Sequence, residues 1–134
     1  ESLAMEDLDD TADKMELLRS HGVRFALDDF GTGYSSLSVL RQLPLQMLKI
    51  DGSFVRDVAT DSDSAAIVHT IVGMARSLGL QVVAEGVETP AQHQALHAQH
   101  CPCFQGYLFA RPLPLVDFDT WLQARAPIAT KDEP

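Results

Sequence analysis

The sequence predicts an α/β fold built on a parallel sheet, and two observations carry that prediction. Four short apolar runs alternate with helical patterns, at spacings long enough to hold a helix between consecutive strands, as parallel pairing requires. Each run also ends on polar residues able to do chemistry: Asp28 and Asp29, Lys49 and Asp51, Glu85, and Gln105. In parallel α/β folds the C-terminal ends of the strands form the edge where sites are built. Four coincidences at that edge point to an active site.

Leu8, Ala12, Met15 and Leu18 recur at helical spacing, with Gly22 as a C-terminal cap. The run Val23 to Leu27 reads as a first strand stopped by Asp28-Asp29. Gly31 to Ser36 is a loop, and Leu37 to Leu43 a short helix ended by Pro44. Met47 to Ile50 is the second strand, stopped by Asp51-Gly52. The clearest helix covers residues 64–78, with Ile67, Val68, Ile71, Val72, Ala75 and Leu78 on one broad face. Asp61, Ser62 and Asp63 offer N-caps for it, and Gly79 a C-cap. Gln81 to Ala84 is the third strand, ending at Glu85-Gly86. Thr89-Pro90 then sets a cap with proline at the first helical position. Cys103-Phe104 is a fourth, short strand leading to Gln105-Gly106, and Pro114 to Gln123 a last helix with Phe118 and Trp121 expected in the core. Residues 125–134 read as a flexible tail, and no internal repeat is present.

The 134 residues are 46% hydrophobic and 22% charged, which argues against disorder, collagen and coiled coil. A chain of this size can bury roughly two-thirds of its extended surface around one core. No apolar run approaches the ~20 residues of a membrane helix, and no signal pattern opens the chain. With 19 acidic and 10 basic residues the net charge is −9. That disfavours long nucleic acids, whose phosphates need Lys and Arg, but allows a small phosphate ligand held through metal ions. The acids crowded into residues 1–16 read as a solvated helix face. Cys101 and Cys103, separated by one proline, are no disulfide framework and suit a reducing cytoplasm. Glu1 is not a methionine, so a piece of a longer chain is expected.

Two adjacent carboxylates at one strand end, joined by a third from another strand, suit hard cations such as Mg²⁺ or Mn²⁺. An aspartate can bridge two such ions, which activate water and clamp a phosphoryl group. Lys49 would add positive charge near the nucleophile or phosphate. A competing reading makes Asp28 and Asp29 mere turn caps, but Lys49 and Glu85 at equivalent strand ends weigh against it. Gly31-Thr32-Gly33 is a weak phosphate-cradle signal and reads better as a mobile loop beside the carboxylates. His93 and His97, one turn apart and close to His100, Cys101 and Cys103, are a rival zinc site. Pro102 restricts the backbone between the thiols, and no matching second cluster exists, so these histidines read as an exposed polar helix face.

Asp28-Asp29-Phe30-Gly31-Thr32-Gly33-Tyr34-Ser35-Ser36-Leu37 closely resembles the EAL-domain family, the bacterial cyclic-di-GMP phosphodiesterases. Lys49-Ile50-Asp51, Glu85-Gly86-Val87-Glu88-Thr89, Gln105-Gly106-Tyr107-Leu108-Phe109 and Arg111-Pro112-Leu113-Pro114 resemble its later blocks in the same order. The resemblance spans roughly residues 1–124. It implies a modified (β/α)₈ barrel that hydrolyses cyclic-di-GMP to linear pGpG with two Mg²⁺ or Mn²⁺ ions. By resemblance, Asp28 bridges both metals, Asp29 binds the second, and Lys49 orients the attacking water. Glu85 is similar to a glutamate described as metal ligand or general base. Gln105 and Glu88 resemble residues near the substrate, and Asp51 would support the metal ligands from behind. Phe30, Gly31, Thr32, Gly33, Tyr34, Ser35 and Ser36 look like the loop coupling metal binding to dimerisation, and Glu1 like the glutamate anchoring that loop. A homodimer, a cytoplasmic location and a parent fused to sensory or diguanylate-cyclase-like modules, membrane-anchored or not, are implied too.

The Glu-Ala-Leu motif that names the family is absent, as are its metal-binding asparagine and a further metal-binding glutamate. The chain thus resembles the C-terminal half of the domain, with about four of eight strands, where a typical barrel needs ~250 residues. The isolated fragment is expected to be inactive. The alternative for the parent is a degenerate, non-catalytic domain that acts as a cyclic-di-GMP receptor or protein-interaction module.

Overall fold

The computed structural model describes residues 2–31 and 37–125, the backbone alone for 2–7. The expectations placed on Glu1, on Thr32, Gly33, Tyr34, Ser35 and Ser36, and on residues 126–134 of the expected tail lie outside the described residues, while Arg125, expected to begin that tail, is the last residue of a helix. The elements run α1 (Ser2–Ser20), β1 (Ala26–Phe30), α2 (Leu37–Gln42), β2 (Met47–Ile50), α3 (Gly52–Arg56), α4 (Ser62–Ser77), β3 (Gln81–Ala84), α5 (Pro90–Ala98), β4 (Cys103–Phe104) and α6 (Leu115–Arg125). The four strands form one sheet in chain order, every neighbouring pair parallel. A helix or helix pair returns the chain after each strand, so the expected strand–helix alternation is the observed one.

The period-2 pleat divides the sheet into a core face and a site face. Leu48 and Ile50 of β2 and Val82 and Ala84 of β3 are buried on one face. Val68, Ile71, Val72 and Ala75 of α4 close over that face, and Val55, Val87 and Leu96 are fully buried beside it. Ile67 and Leu78, expected on the buried side of this helix, are exposed instead, because the face in contact with the sheet is narrower than the apolar stripe. Asp61 caps α4 by accepting from the Ser64 amide at 2.7 Å.

Three local features depart from expectation. First, β1 starts at Ala26 and runs through Asp28 and Asp29 to Phe30, where the sequence suggested that the aspartates end it. Second, α3 was not anticipated. Asp51 nucleates it as N-cap, its carboxylate accepting from the Ser53 amide at 2.8 Å. Third, α6 buries none of its residues, so Phe118 and Trp121 are not core. They stack on each other at 6.0 Å, and the Arg125 guanidinium covers the Trp121 ring.

Candidate active site

A regular strand sends adjacent side chains to opposite faces, so Asp28 and Asp29 could not converge on one cation from a flat β1. The structure resolves this with a bulge. Ala26 pairs with Met47 and Leu27 with Leu48, but Phe30 pairs with Ile50, leaving Asp28 and Asp29 opposite Lys49 alone. Asp29 takes up the extra residue at φ +50°, in the left-handed region where aspartate is among the better-tolerated residues. As a result, oxygens of Asp28, Asp29 and Glu85 lie within 4.8 Å of one another.

The remaining groups follow from register. Lys49 pairs with Val83, so Lys49, Val83 and then Glu85 share the site face, while the alternate residues go to the core. The Glu85 amide donates to the Ile50 carbonyl at 3.2 Å, extending the ladder one residue past β3. Lys49 Nζ lies 2.6 Å from Glu85 Oε1 and 2.9 Å from Asp28 Oδ1. Hydrogen bonds to Glu85 and then Asp28 raise the Lys49 pKa above its ordinary value, more than burial lowers it. Asp28 is held below the usual carboxylate range, chiefly by Lys49 and also by the Asp29 amide. Asp51 is likewise lowered, by the Ser53 hydroxyl and amide first and with Asp29 in hydrogen-bonding reach. Asp51 therefore links the cap of α3 to Asp29.

Gln105 and Glu88 are placed differently. The Gln105 backbone is pinned to the sheet, its amide donating to Ala84 O at 2.8 Å and its carbonyl accepting from Val87 at 3.0 Å. Its exposed side chain borders a cavity of about 310 Å³ lined also by Tyr107, Arg111, Pro112, Phe118 and Trp121. Arg111 stands 4.5 Å above the Tyr107 ring. Glu88 is exposed and outside the carboxylate group, its amide bound to Gln92 Oε1 at 2.8 Å. Phe30 is buried in the core. Gly31 sits at φ +107°, where a Cβ would meet the Phe54 ring at 2.5 Å.

Sequence reasoning missed Gln92 and the steric role of Gly106. The first had a signal: Thr89-x-x-Gln92 is a capping box, and both of its hydrogen bonds are present. The second had none, since a close backbone approach is invisible before the loops are placed. The rival histidine site is not assembled, and among the described residues the carboxylates form the one group suited to a metal. His97 is exposed as expected, but His93 is half-buried, its ring edge-on to Phe104 at 4.6 Å and to Phe109 at 5.8 Å. Burial pushes the Cys101 thiol up, which suits a structural cysteine.

Comparison with known proteins identifies the family. The family model of the EAL domain matches residues 1–112. The chain belongs to the EAL domain family. Over 124 residues, 92% of this chain, it is 49% identical to the cyclic di-GMP phosphodiesterase NbdA of Pseudomonas aeruginosa. Over 114 residues, 85% of this chain, it is 51% identical to MucR of the same organism, a bifunctional diguanylate cyclase/cyclic di-GMP phosphodiesterase. The solved PaMucR phosphodiesterase, in complex with c-di-GMP, superimposes with a TM-score of 0.77 over 86% of this chain at 49% identity. A manganese/cyclic-di-GMP complex of BlrP1 from Klebsiella pneumoniae gives 0.72 over 78% at 40% identity, covering 26% of that chain. This EAL chain spans 16–17% of the length of those two curated relatives and 47% of the solved PaMucR chain. The part of a (β/α)₈ barrel expected from the sequence is thus the observed fold. No helix among the described residues is long and apolar enough to cross a membrane.

Proposed function

We propose that the parent of this EAL chain is a cyclic-di-GMP phosphodiesterase that hydrolyses its substrate to linear pGpG. One observation carries the proposal: three carboxylates and one ammonium group converge at the C-terminal edge of the sheet. Three hard oxygen donors within 4.8 Å suit Mg²⁺ or Mn²⁺ and would suit a soft cation poorly. Asp28 would bridge two ions, with Asp29 and Glu85 as further ligands. A bound divalent cation supplies Lewis-acid activation of water and neutralises charge at the phosphate.

The chain's own residues do the rest. Lys49, kept cationic by its two carboxylate partners, orients the water and balances the charge that grows on the phosphoryl oxygens. Water oxygen would bond to phosphorus as the bond to the 3′ oxygen breaks, with Glu85 as the base that takes the water proton and returns it to the leaving oxygen. Gln105 and Glu88 would contact the substrate from the flanking loops. The cavity beside Gln105 offers the Tyr107 ring and the Arg111 guanidinium, complementary to a flat purine and to phosphate.

The reading also carries a domain over residues 1–124, a cytoplasmic location consistent with two free thiols, and a homodimer coupled through residues 30–36. Fusion to a diguanylate-cyclase-like or sensory module is supported by the bifunctional name of MucR. The test is turnover of cyclic-di-GMP by the intact parent with Mg²⁺ or Mn²⁺, with pGpG as product. Folded protein that binds the nucleotide without product, whether or not a chelator is present, would instead make it a receptor.

A further inference from the structure

Gln92 is the buried polar side chain among the described residues, and its amide makes three hydrogen bonds. Oε1 accepts from the Thr89 amide at 2.9 Å and from the Glu88 amide at 2.8 Å, and Nε2 donates to the Arg56 carbonyl at 3.0 Å. Only the first bond belongs to the capping box of α5. The other two reach beyond helix capping. One seizes the backbone of Glu88, and the other crosses to the last residue of α3, whose first turn is capped by Asp51.

The loop from Glu85 to Glu88 is therefore held from two sides. On one side Val87, fully buried, exchanges hydrogen bonds with Gln105 and Leu108. On the other, Gln92 ties it to α3, and Gly52 and Gly86 touch so closely that a Cβ on Gly86 would lie 3.4 Å from Gly52 Cα. Without the Gln92 amide, two loop N–H groups and the Arg56 carbonyl would lose their partner at a site too buried to replace it freely with water. Glu85 would keep its contact with Lys49 only as well as a loosened loop allows.

We infer that Gln92 is a positioning residue that fixes the Glu85–Glu88 loop against α3 and so sets the placement of Glu85 and Glu88. The inference rests on the phosphodiesterase reading. Gln92→Glu keeps the acceptor oxygens and loses the donor; Gln92→Met keeps the bulk and loses both functions. In the intact domain, hydrogen exchange at the Glu88 and Thr89 amides should be unchanged in Gln92→Glu and at least about tenfold faster in Gln92→Met. With cyclic-di-GMP and Mn²⁺, kcat per folded molecule should fall about 10- to 100-fold in Gln92→Met and less in Gln92→Glu. Wild-type kcat per folded molecule in Gln92→Met, with only a lowered unfolding midpoint, would overturn the role, as would unaltered amide exchange in that variant. If Gln92→Met does not fold, Gln92→Glu decides: a lowered kcat supports the role and a wild-type kcat overturns it. A folded but inactive wild-type domain would overturn the phosphodiesterase reading itself, and the catalytic role of Gln92 with it.

Discussion

Gly106→Ala is the sharpest small perturbation that the site offers. A Cβ at Gly106 would lie 2.1 Å from the Val87 oxygen, 2.3 Å from its nitrogen and 2.6 Å from its carbonyl carbon. All three are backbone atoms, so no side chain can swing aside, and relief requires the two loops to part by about 1 Å or more. That movement breaks the bonds from Val87 to Gln105 and from Leu108 to Val87, both 3.0 Å. Two hydrogen bonds at about 1 kcal/mol each, with an overpacking cost of about 1–3 kcal/mol, give a destabilisation of roughly 3–5 kcal/mol. The same shift moves Glu85 relative to Lys49 and Asp28, and about 1 Å of misplacement can cost ~10²-fold in rate. Urea unfolding of the intact domain in chelator reads the first quantity, and pGpG formation at saturating Mn²⁺ reads the second. An unfolding midpoint and a rate both equal to wild type would refute the close-approach argument.

Four further outcomes are expected. Glu85→Gln and Lys49→Ala should lose activity mainly in kcat, seen as slow turnover at saturating substrate, while His97→Ala on the exposed face of α5 should retain wild-type turnover. His93→Ala should lower stability by about 1 kcal/mol, because its ring packs on Phe104 and Phe109, and leave kcat of the folded protein unchanged; a melting curve and a rate measurement check this. In chelator, the ion pairs of Lys49 with Glu85 and Asp28 should stabilise the fold across a bounded pH window. Lys49 is raised, so its contribution is complete below 10.5 and lost as pH rises through its folded value; Asp28 is lowered, so its contribution is complete above 3.8 and lost as pH falls through its own. The stability difference between wild type and Lys49→Met should therefore close at both ends of a pH series. The 134 residues alone should form no pGpG and should self-associate, because β1 and β4 are open sheet edges and Leu115, Val116 and Leu122 of α6 are exposed; sedimentation as a folded 14.7 kDa monomer would contradict this.

The strand order and the site edge were legible because they rest on local signals. Met47 to Ile50 and Gln81 to Ala84 carry their own periodicity, and each stops at a polar residue that the ladder then carries to the same edge. The Thr89-Pro90 start of α5 was equally plain. What stayed hidden depends on the partner strand or on distant chain. The bulge at Asp28-Asp29 exists only relative to the register of β2, so reading β1 alone ended it too early. Phe118 and Trp121 have a core composition, but burial depends on what stands opposite, and α6 buries nothing. Gln92 looks like one more polar residue until Arg56, 36 positions earlier, is placed beside it.

The claim that the bulged aspartate pair and Glu85 form a divalent-cation site is tested most directly by Mn²⁺ binding to the intact domain, followed by electron paramagnetic resonance. A neutral amide at Asp28 removes charge where two cations would otherwise repel each other uncompensated. Asp28→Asn should therefore weaken Mn²⁺ binding by at least about tenfold and abolish pGpG formation, with the fold retained. Wild-type Mn²⁺ affinity in folded Asp28→Asn would contradict the site as described.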